Sequence, residues 1–193
     1  LLGADLVGFH TYDYARHFLS GVLRTLGLDN KQSSVIVGDR LVRADVFPIG
    51  IDYEKFASAA LSAPVKAEIS ALNEHFHAQK IILSVDRLDY SKGILQRLEA
   101  YEYFLQTHPR WHKKITMVVV AVPSRTDIHA YQHMREEIER AVSRINGEFA
   151  TMNWSPISYQ YKNVPFEQLV GLYARADIAL ITPIRDGMNL VAK

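Results

Sequence analysis

From residue 80 onward, short apolar runs alternate with longer segments in which apolar residues recur every three or four positions. The runs KIILSV at 80–85 and KITMVVVAV at 114–122 are each followed by such a segment, which predicts strands followed by helices. The second run is apolar at consecutive positions, as is typical of a strand covered by helices on both faces. We therefore predict an α/β fold, a doubly wound parallel sheet with helices on both faces.

The beginning of the chain has its own pattern. A strand candidate, DLVGF at 5–9, leads into a helical segment, and the dipeptide Gly-Asp at 38–39 between two β-rich runs predicts a hairpin. Pro48 then interrupts the strand pattern. We place a domain boundary here and predict two domains, residues 1–47 and residues 48–193.

The composition limits the partners that the protein can have. A net charge of +1 and a pI near 8.1 give no broad electrostatic field, so we expect no nucleic-acid partner. There is no cysteine, which fits a reducing compartment, and no apolar run approaches the roughly 18 residues of a membrane span. We expect a cytoplasmic protein without a membrane partner. Without an initiator Met, and with its last residues in an apolar stretch, the chain is expected to be a piece of a longer protein.

Three turns that follow predicted strands carry cations. In a parallel sheet such turns lie at the carboxyl edge, where these folds bind ligands. A cation beside a helix N-terminus opposes the helix dipole by a few tenths of a kcal/mol to about 1 kcal/mol, unless an anion lies between them. The glycine at 93 would let a backbone approach closely, so the pattern predicts a phosphate site. The cations are Arg87, Lys92, Arg125 and Arg185.

Simpler interpretations of the same residues remain open at this point. Arg87 could pair with Asp86 or Asp89 in a solvated ion pair that contributes about 0 to 1 kcal/mol. The segment DGMN at 186–189 contains no complete GxGxxG or Walker pattern, so a dinucleotide-binding or kinase site has little support.

Metal ligands and a sugar-stacking platform have weak support in the sequence. The eight histidines are scattered, and His129 and His133, although four residues apart, lack the Glu of an HExxH motif. We therefore predict no metal site. A group of aromatic residues is interpreted as core and helix-surface packing, not as a platform for a sugar: Tyr101, Tyr103, Phe104 and Trp111.

Several segments, taken together and in order, carry a family resemblance. They are ADLVGFHTYDYARHFL, PIGID, RLDYSKG, PSR, RINGEF and TPIRDGMNLVAK. Over all 193 residues the chain resembles trehalose-6-phosphate synthases. The resemblance implies a GT-B architecture of two Rossmann-like domains and transfer of glucose from UDP-glucose to glucose 6-phosphate with retention, giving α,α-trehalose 6-phosphate and UDP. Residues 1–47 would then end the N-terminal, acceptor-side domain, and residues 48–193 would form most of the C-terminal, donor-side domain.

The resemblance also implies roles for individual residues. Arg87 and Lys92 match the residues that bind the diphosphate of the donor and stabilise the leaving UDP, so that no metal or other cofactor is needed. Arg125 matches the arginine that holds the phosphate of glucose 6-phosphate. Asp186 matches a carboxylate that contacts the donor glucose, and it completes the predicted catalytic set with Arg87 and Lys92. The further donor contacts would be Gly93, Val164 and a helix start formed by Gly187, Met188, Asn189, Leu190, Val191, Ala192 and Lys193.

The sequence lacks parts of the family, and this limits what the isolated chain is expected to do. The acceptor-binding residues of the family lie before Leu1, so we expect the isolated chain to be inactive. A catalytically silent, synthase-like regulatory module that binds sugar phosphates is the first alternative function. Another GT-B transferase, such as a glycogen-synthase-like enzyme, is the second, and Arg125 separates it from a trehalose-6-phosphate synthase, because it would need no hexose-phosphate site. A homo-oligomer is compatible with the sequence.

Overall fold

The computed structural model describes residues 1–193, which divide into two compact units. The first unit contains residues 1–51, 187–191 and 193, and the second contains residues 52–186 and 192. The predicted domains, 1–47 and 48–193, concern a longer protein and stay a prediction. None of the six α-helices combines the length and the apolar character that crossing a membrane would require.

The first unit is a small mixed sheet with one helix. Its strands run in the order β1-β4-β3-β2, with β1 parallel to β4 and the other neighbours antiparallel. The predicted hairpin is confirmed, because β3 and β4 are joined by Gly38 and Asp39, and Gly38 has φ +65°. The elements are β1 (Leu6–Phe9), α1 (Tyr12–Leu26), β2 (Asn30–Lys31), β3 (Ser34–Val37) and β4 (Arg40–Val46).

The second unit is built on a parallel sheet in the order β7-β6-β5-β8. Alternate residues of a strand face opposite sides of the sheet, and Met117, Val118, Val119 and Val120 of β6 are all fully buried. Both faces of the sheet are therefore covered, as predicted. The elements are α2 (Tyr53–Ala60), α3 (Ala63–Phe76), β5 (Lys80–Arg87), α4 (Ile94–Thr107), β6 (Ile115–Val122), α5 (His129–Phe149), β7 (Ile157–Gln160), α6 (Phe166–Arg175) and β8 (Ile178–Ala179).

The main core of the second unit lies between the sheet and helices α4 and α5. Tyr101 is buried in it, and Phe104 and Trp111 pack against it, so the packing interpretation of these aromatic residues is confirmed. Tyr103 is exposed on the outer surface of α4.

Helix α5 continues past the dipeptide Asn146-Gly147 to Phe149, although Asn and Gly are the residues that most often end a helix. The Asn146 side chain has a partner further along the chain. Its Nδ2 donates to the Ile157 carbonyl oxygen and its Oδ1 accepts from the Ile157 amide, both at 3.0 Å. The carboxamide therefore joins α5 to the first residue of β7 instead of closing the helix.

Candidate active site

Three turns meet at the carboxyl edge of the parallel sheet in the second unit. Strands β5, β6 and β8 are parallel, and Arg87 at the end of β5 lies opposite Val122 at the end of β6. The turns that follow these strands contain Lys92, Arg125 and Asp186. The predicted catalytic residues and the predicted acceptor-phosphate residue therefore come from one edge of one sheet, which is where ligands bind in such folds.

Lys92 and Asp186 form an ion pair between two of these turns. The Lys92 Nζ donates to Asp186 Oδ2 at 2.5 Å, and the two side chains are 14 % and 17 % exposed. Lys92 ends a short 3-10 turn, Tyr90–Lys92, that Asp89 caps by accepting from the Ser91 amide at 2.9 Å. The carboxylate of Asp186 therefore lies against one of the cations of these turns.

The backbones of the two turns also touch. The Ser91 carbonyl oxygen accepts from the amides of Ile184 at 2.8 Å and Arg185 at 3.2 Å. Gly93 has φ +65°, and a Cβ on it would lie 2.7 Å from the Thr182 carbonyl oxygen. The close approach predicted for Gly93 is thus an approach to the neighbouring turn, while its contact with a donor stays a prediction.

We expect Gly93→Ala to lower the free energy of unfolding by about 1–3 kcal/mol from the left-handed backbone alone. The contact with the Thr182 oxygen adds to this loss, because a backbone carbonyl cannot rotate away. Gly147→Ala is the control, since nothing lies within 4 Å of a Cβ there and the glycine is inside α5. Urea unfolding of both variants measures the difference, and an equal stability of the two would contradict the packing described.

Arg97 is a buried residue that organises this edge and that sequence reasoning missed. Its Nη1 donates to Asp86 Oδ2 at 2.9 Å and to the Ser84 hydroxyl, and the Arg97 and Asp86 side chains are 1 % and 3 % exposed. Its Nε donates to the Thr182 hydroxyl and its Nη2 to the Lys92 carbonyl oxygen, both at 3.1 Å. One guanidinium therefore connects β5, the turn of Lys92 and the turn that ends at Asp186.

A signal for Arg97 was present in the sequence. The residue lies three positions after Ile94 and four before Tyr101, on the apolar face of α4. A charge at such a position needs a buried partner. Burial raises the pKa of that partner, Asp86, above its usual value, although the hydrogen bond and the charge of Arg97 act in the opposite direction.

The Arg87 side chain is exposed, and its guanidinium makes neither an ion pair nor a hydrogen bond. The alternative in which it pairs with Asp86 or Asp89 is wrong for this structure. Asp86 is engaged by Arg97, and Asp89 accepts from Ser91 and Tyr131. The guanidinium of Arg87 is thus available to an anion at the edge.

Arg125 lies in the turn after β6 and has a left-handed backbone, with φ +49°. Its Nη1 donates to the Tyr131 hydroxyl at 2.6 Å, and that hydroxyl donates to Asp89 Oδ2 at 3.2 Å. Burial acts to raise the pKa of Asp89, but its hydrogen bonds from Ser91 and Tyr131 and the charge of Arg125 lower it overall. Arg125 and Asp89 are therefore linked through a single tyrosine.

The other predicted donor contacts are spread over both units. Val164 directly precedes Pro165, the residue that caps α6. Residues 187–191 and 193 belong to the first unit. The helix start predicted there stays a prediction: the Asn189 side chain accepts from the Val191 amide at 2.9 Å, which is the bond that an N-cap residue makes, and the Lys193 amide donates to the Leu190 carbonyl oxygen at 3.3 Å. Lys193 Nζ donates to the Ile49 carbonyl oxygen at 2.6 Å. The binding roles of all these residues stay predictions.

No group of three or more His, Asp and Glu side chains is arranged to hold a metal ion. The expectation that the reaction needs no metal or other cofactor stays a prediction.

The model of glycosyltransferase family 20 matches residues 1–193. The chain belongs to glycosyltransferase family 20. Among curated relatives, the 56 kDa subunit of UDP-forming α,α-trehalose-phosphate synthase from Saccharomyces cerevisiae is 49% identical over 192 residues, which are 100% of this chain and 39% of the yeast protein. The chain spans 26% to 40% of the length of the curated relatives that it matches.

Solved structures of similar proteins support the fold of this family 20 chain. A UDP-forming α,α-trehalose-phosphate synthase from Burkholderia xenovorans in complex with glucose-6-phosphate superposes with a TM-score of 0.92 at 35% identity, covering 97% of this chain and 42% of that one. A trehalose-6-phosphate protein from E. coli bound with UDP-2-fluoro glucose gives 0.91 at 35% identity, with the same coverage. The predicted α/β fold of GT-B type is confirmed.

Proposed function

We propose that the full-length protein containing this chain is a UDP-forming trehalose-phosphate synthase. It transfers glucose from UDP-glucose to glucose 6-phosphate with retention, and it releases α,α-trehalose 6-phosphate and UDP. The observation that carries the proposal is the Lys92–Asp186 pair, formed by two different turns at the edge where Arg87 is exposed and unpaired. Membership of the family and the names of its relatives support the choice of substrates.

In this proposal the donor diphosphate binds to Arg87 and Lys92. Two cations neutralise the charge that grows on UDP as the bond to glucose breaks, and fixed charges of this kind are a large part of catalysis. Asp186 already lies against Lys92, so the lysine is held in place before the donor arrives. The same carboxylate can accept hydrogen bonds from hydroxyls of the donor glucose while the diphosphate takes over part of the contact with Lys92.

The acceptor phosphate binds to Arg125. A guanidinium and a phosphate form short, charge-assisted hydrogen bonds that fix both distance and orientation. The acceptor hydroxyl then attacks from the face that UDP leaves, and its proton passes to the departing phosphate oxygen. Positioning and charge thus account for the chemistry, with no covalent intermediate on the protein.

Incubating the full-length protein with UDP-glucose and glucose 6-phosphate tests the proposal. We expect trehalose 6-phosphate and UDP in equal amounts. Binding of both ligands without turnover would favour a silent regulatory module, and turnover with an acceptor other than a hexose phosphate would favour another GT-B transferase.

A cytoplasmic location, a homo-oligomeric state and the absence of nucleic-acid and membrane partners belong to the same proposal.

Replacing Arg125 by alanine should raise the KM for glucose 6-phosphate about 10-fold to 100-fold and change the KM for UDP-glucose much less. The reason is the loss of a charged hydrogen bond, which contributes about 1.5–3 kcal/mol. Steady-state kinetics with each substrate varied in turn measures the two constants. Arg110→Ala, which removes an exposed arginine next to Pro109 at the end of α4, is the control. Equal effects of Arg125→Ala on both constants would contradict an acceptor-phosphate role.

A further inference from the structure

Three side chains form a continuous hydrogen-bonded link between the turns after β5 and β6. Arg125 donates to the Tyr131 hydroxyl, and this hydroxyl donates to Asp89. We propose that Tyr131 is a positioning residue that couples the two substrate sites, so that a hexose phosphate and a nucleoside diphosphate bind cooperatively. The inference rests on the proposed function, because it takes Arg125 and Lys92 as the residues that meet the two anions.

The direction of the Arg125 side chain depends on Tyr131. Arg125 is exposed and its backbone has φ +49°, a region that non-glycine residues seldom adopt. What holds the guanidinium is the Tyr131 hydroxyl at 2.6 Å and the Tyr131 ring, whose centre is 5.5 Å away. Tyr131 itself is only 5 % exposed and belongs to the first turn of α5. The buried Tyr131 therefore sets the orientation of the exposed Arg125 guanidinium.

Asp89, at the other end of the link, determines the conformation of the turn that carries Lys92. The two carboxylate oxygens of Asp89 accept from different residues. Oδ1 accepts from the Ser91 amide at 2.9 Å and from the Ser91 hydroxyl at 2.8 Å, and Oδ2 accepts from the Tyr131 hydroxyl at 3.2 Å. The Lys92 amide donates to the Asp89 carbonyl oxygen at 3.0 Å. Moving Asp89 would thus move the 3-10 turn in which Lys92 lies.

This arrangement makes the two binding events interdependent. An anion bound to Arg125 fixes the guanidinium, and through Tyr131 it fixes Asp89 and the turn of Lys92. The second anion then meets a turn that is already ordered, so less conformational entropy is lost when it binds. Linkage requires the effect to be reciprocal, so each ligand must raise the affinity for the other by the same factor.

Calorimetric titration of the full-length protein with UDP, alone and with saturating glucose 6-phosphate, tests the coupling. In the wild-type protein we expect glucose 6-phosphate to raise the affinity for UDP about fivefold or more, the lower end of common allosteric coupling. We call the UDP affinity with glucose 6-phosphate divided by the UDP affinity without it the coupling ratio. In Tyr131→Phe the coupling ratio should fall to about 1. This variant keeps the buried ring and removes only the hydroxyl, so it preserves the packing of α5.

Tyr101→Phe is the matched control. It also removes a buried tyrosine hydroxyl from the same unit, but this hydroxyl contacts the carbonyl oxygen of Ile115, at the opposite end of β6. The coupling ratio of the control should equal that of the wild-type protein. If Tyr131 had a purely structural role, its replacement would lower the affinity for both ligands alike and would leave the coupling ratio unchanged.

The double variant Tyr131→Phe/Asp89→Asn provides a second test. If both residues act through one link, the double variant should show the same coupling ratio as Tyr131→Phe alone. A coupling ratio in the double variant that differs from the ratio in Tyr131→Phe would overturn the single link.

The remaining outcomes distinguish this inference from the proposed function. Binding of both ligands to the wild-type protein without coupling, or unchanged coupling in Tyr131→Phe, overturns the inference and leaves the proposed function standing. A wild-type protein that fails to bind UDP or glucose 6-phosphate overturns both.

Discussion

If the proposed function holds, replacing Arg87 by alanine is expected to lower the turnover number of the full-length protein by about 10²- to 10³-fold, similar to the loss of one donor from an oxyanion hole. Arg87 is exposed at the end of β5 and unpaired, so its removal leaves no buried partner without a hydrogen bond. The fold should therefore remain, and the loss should appear in the chemical step. Single-turnover measurement of UDP release from UDP-glucose in the presence of saturating glucose 6-phosphate would check this.

Arg140→Ala is the control for this prediction, since Arg140 lies on the exposed surface of α5 and pairs only with Glu136, one helical turn away. Such surface pairs contribute little. Arg87→Lys should recover only part of the rate, because lysine keeps the charge but not the planar pair of donors. Turnover within threefold of the wild-type value in Arg87→Ala would contradict the proposed role in leaving-group stabilisation.

Replacing Arg97 by methionine should destabilise the fold by about 3–5 kcal/mol, the usual cost of leaving a buried charge without its partner. Methionine has a similar length, but it cannot donate to Asp86, Thr182 or the Lys92 carbonyl. Urea unfolding of the 193-residue chain, followed by the fluorescence of Trp111 and Trp154, measures the loss. A loss below 1 kcal/mol would contradict the network described.

The defect of Arg97→Met should depend on pH in a defined direction. Burial already raises the pKa of Asp86 above its usual value of 3.8, and the loss of Arg97 raises it further. The folded state then binds the proton more tightly than the unfolded state, so stability falls as pH rises from 3.8 through the raised pKa. The destabilisation should be smaller at pH 4 than at pH 7. The double variant Arg97→Met/Asp86→Leu should lose this pH dependence.

The sequence predicted the elements whose signals are local. Each of the apolar runs at 80–85 and 114–122 is a strand, because a fully covered strand needs nothing beyond its own composition to be recognised. The cations in the following turns were equally visible. Asn146-Gly147 has the local signal of a helix end, but the partner of the Asn146 side chain, Ile157, lies eleven residues further along the chain. Local pattern alone cannot show such a partner.

The contacts of the site that could not be predicted from the sequence also join residues that are far apart along the chain. Lys92 and Asp186 are 94 residues apart, and their contact depends on the placement of β8 next to β5. Arg97 could have been suspected from its place on an apolar helix face, but its partners could not. Tyr131 is buried like a core residue, and only the turn geometry of Arg125 shows that its hydroxyl is used.

The contact between Lys92 and Asp186 has a consequence for ligand discrimination. Lys92 is already paired with the carboxylate of Asp186, so a small ion with one negative charge gains little by displacing that carboxylate. A diphosphate can contact Lys92 and also Arg87, whose guanidinium has no ion-pair partner. Only such a ligand brings enough negative charge to compete with the carboxylate of Asp186.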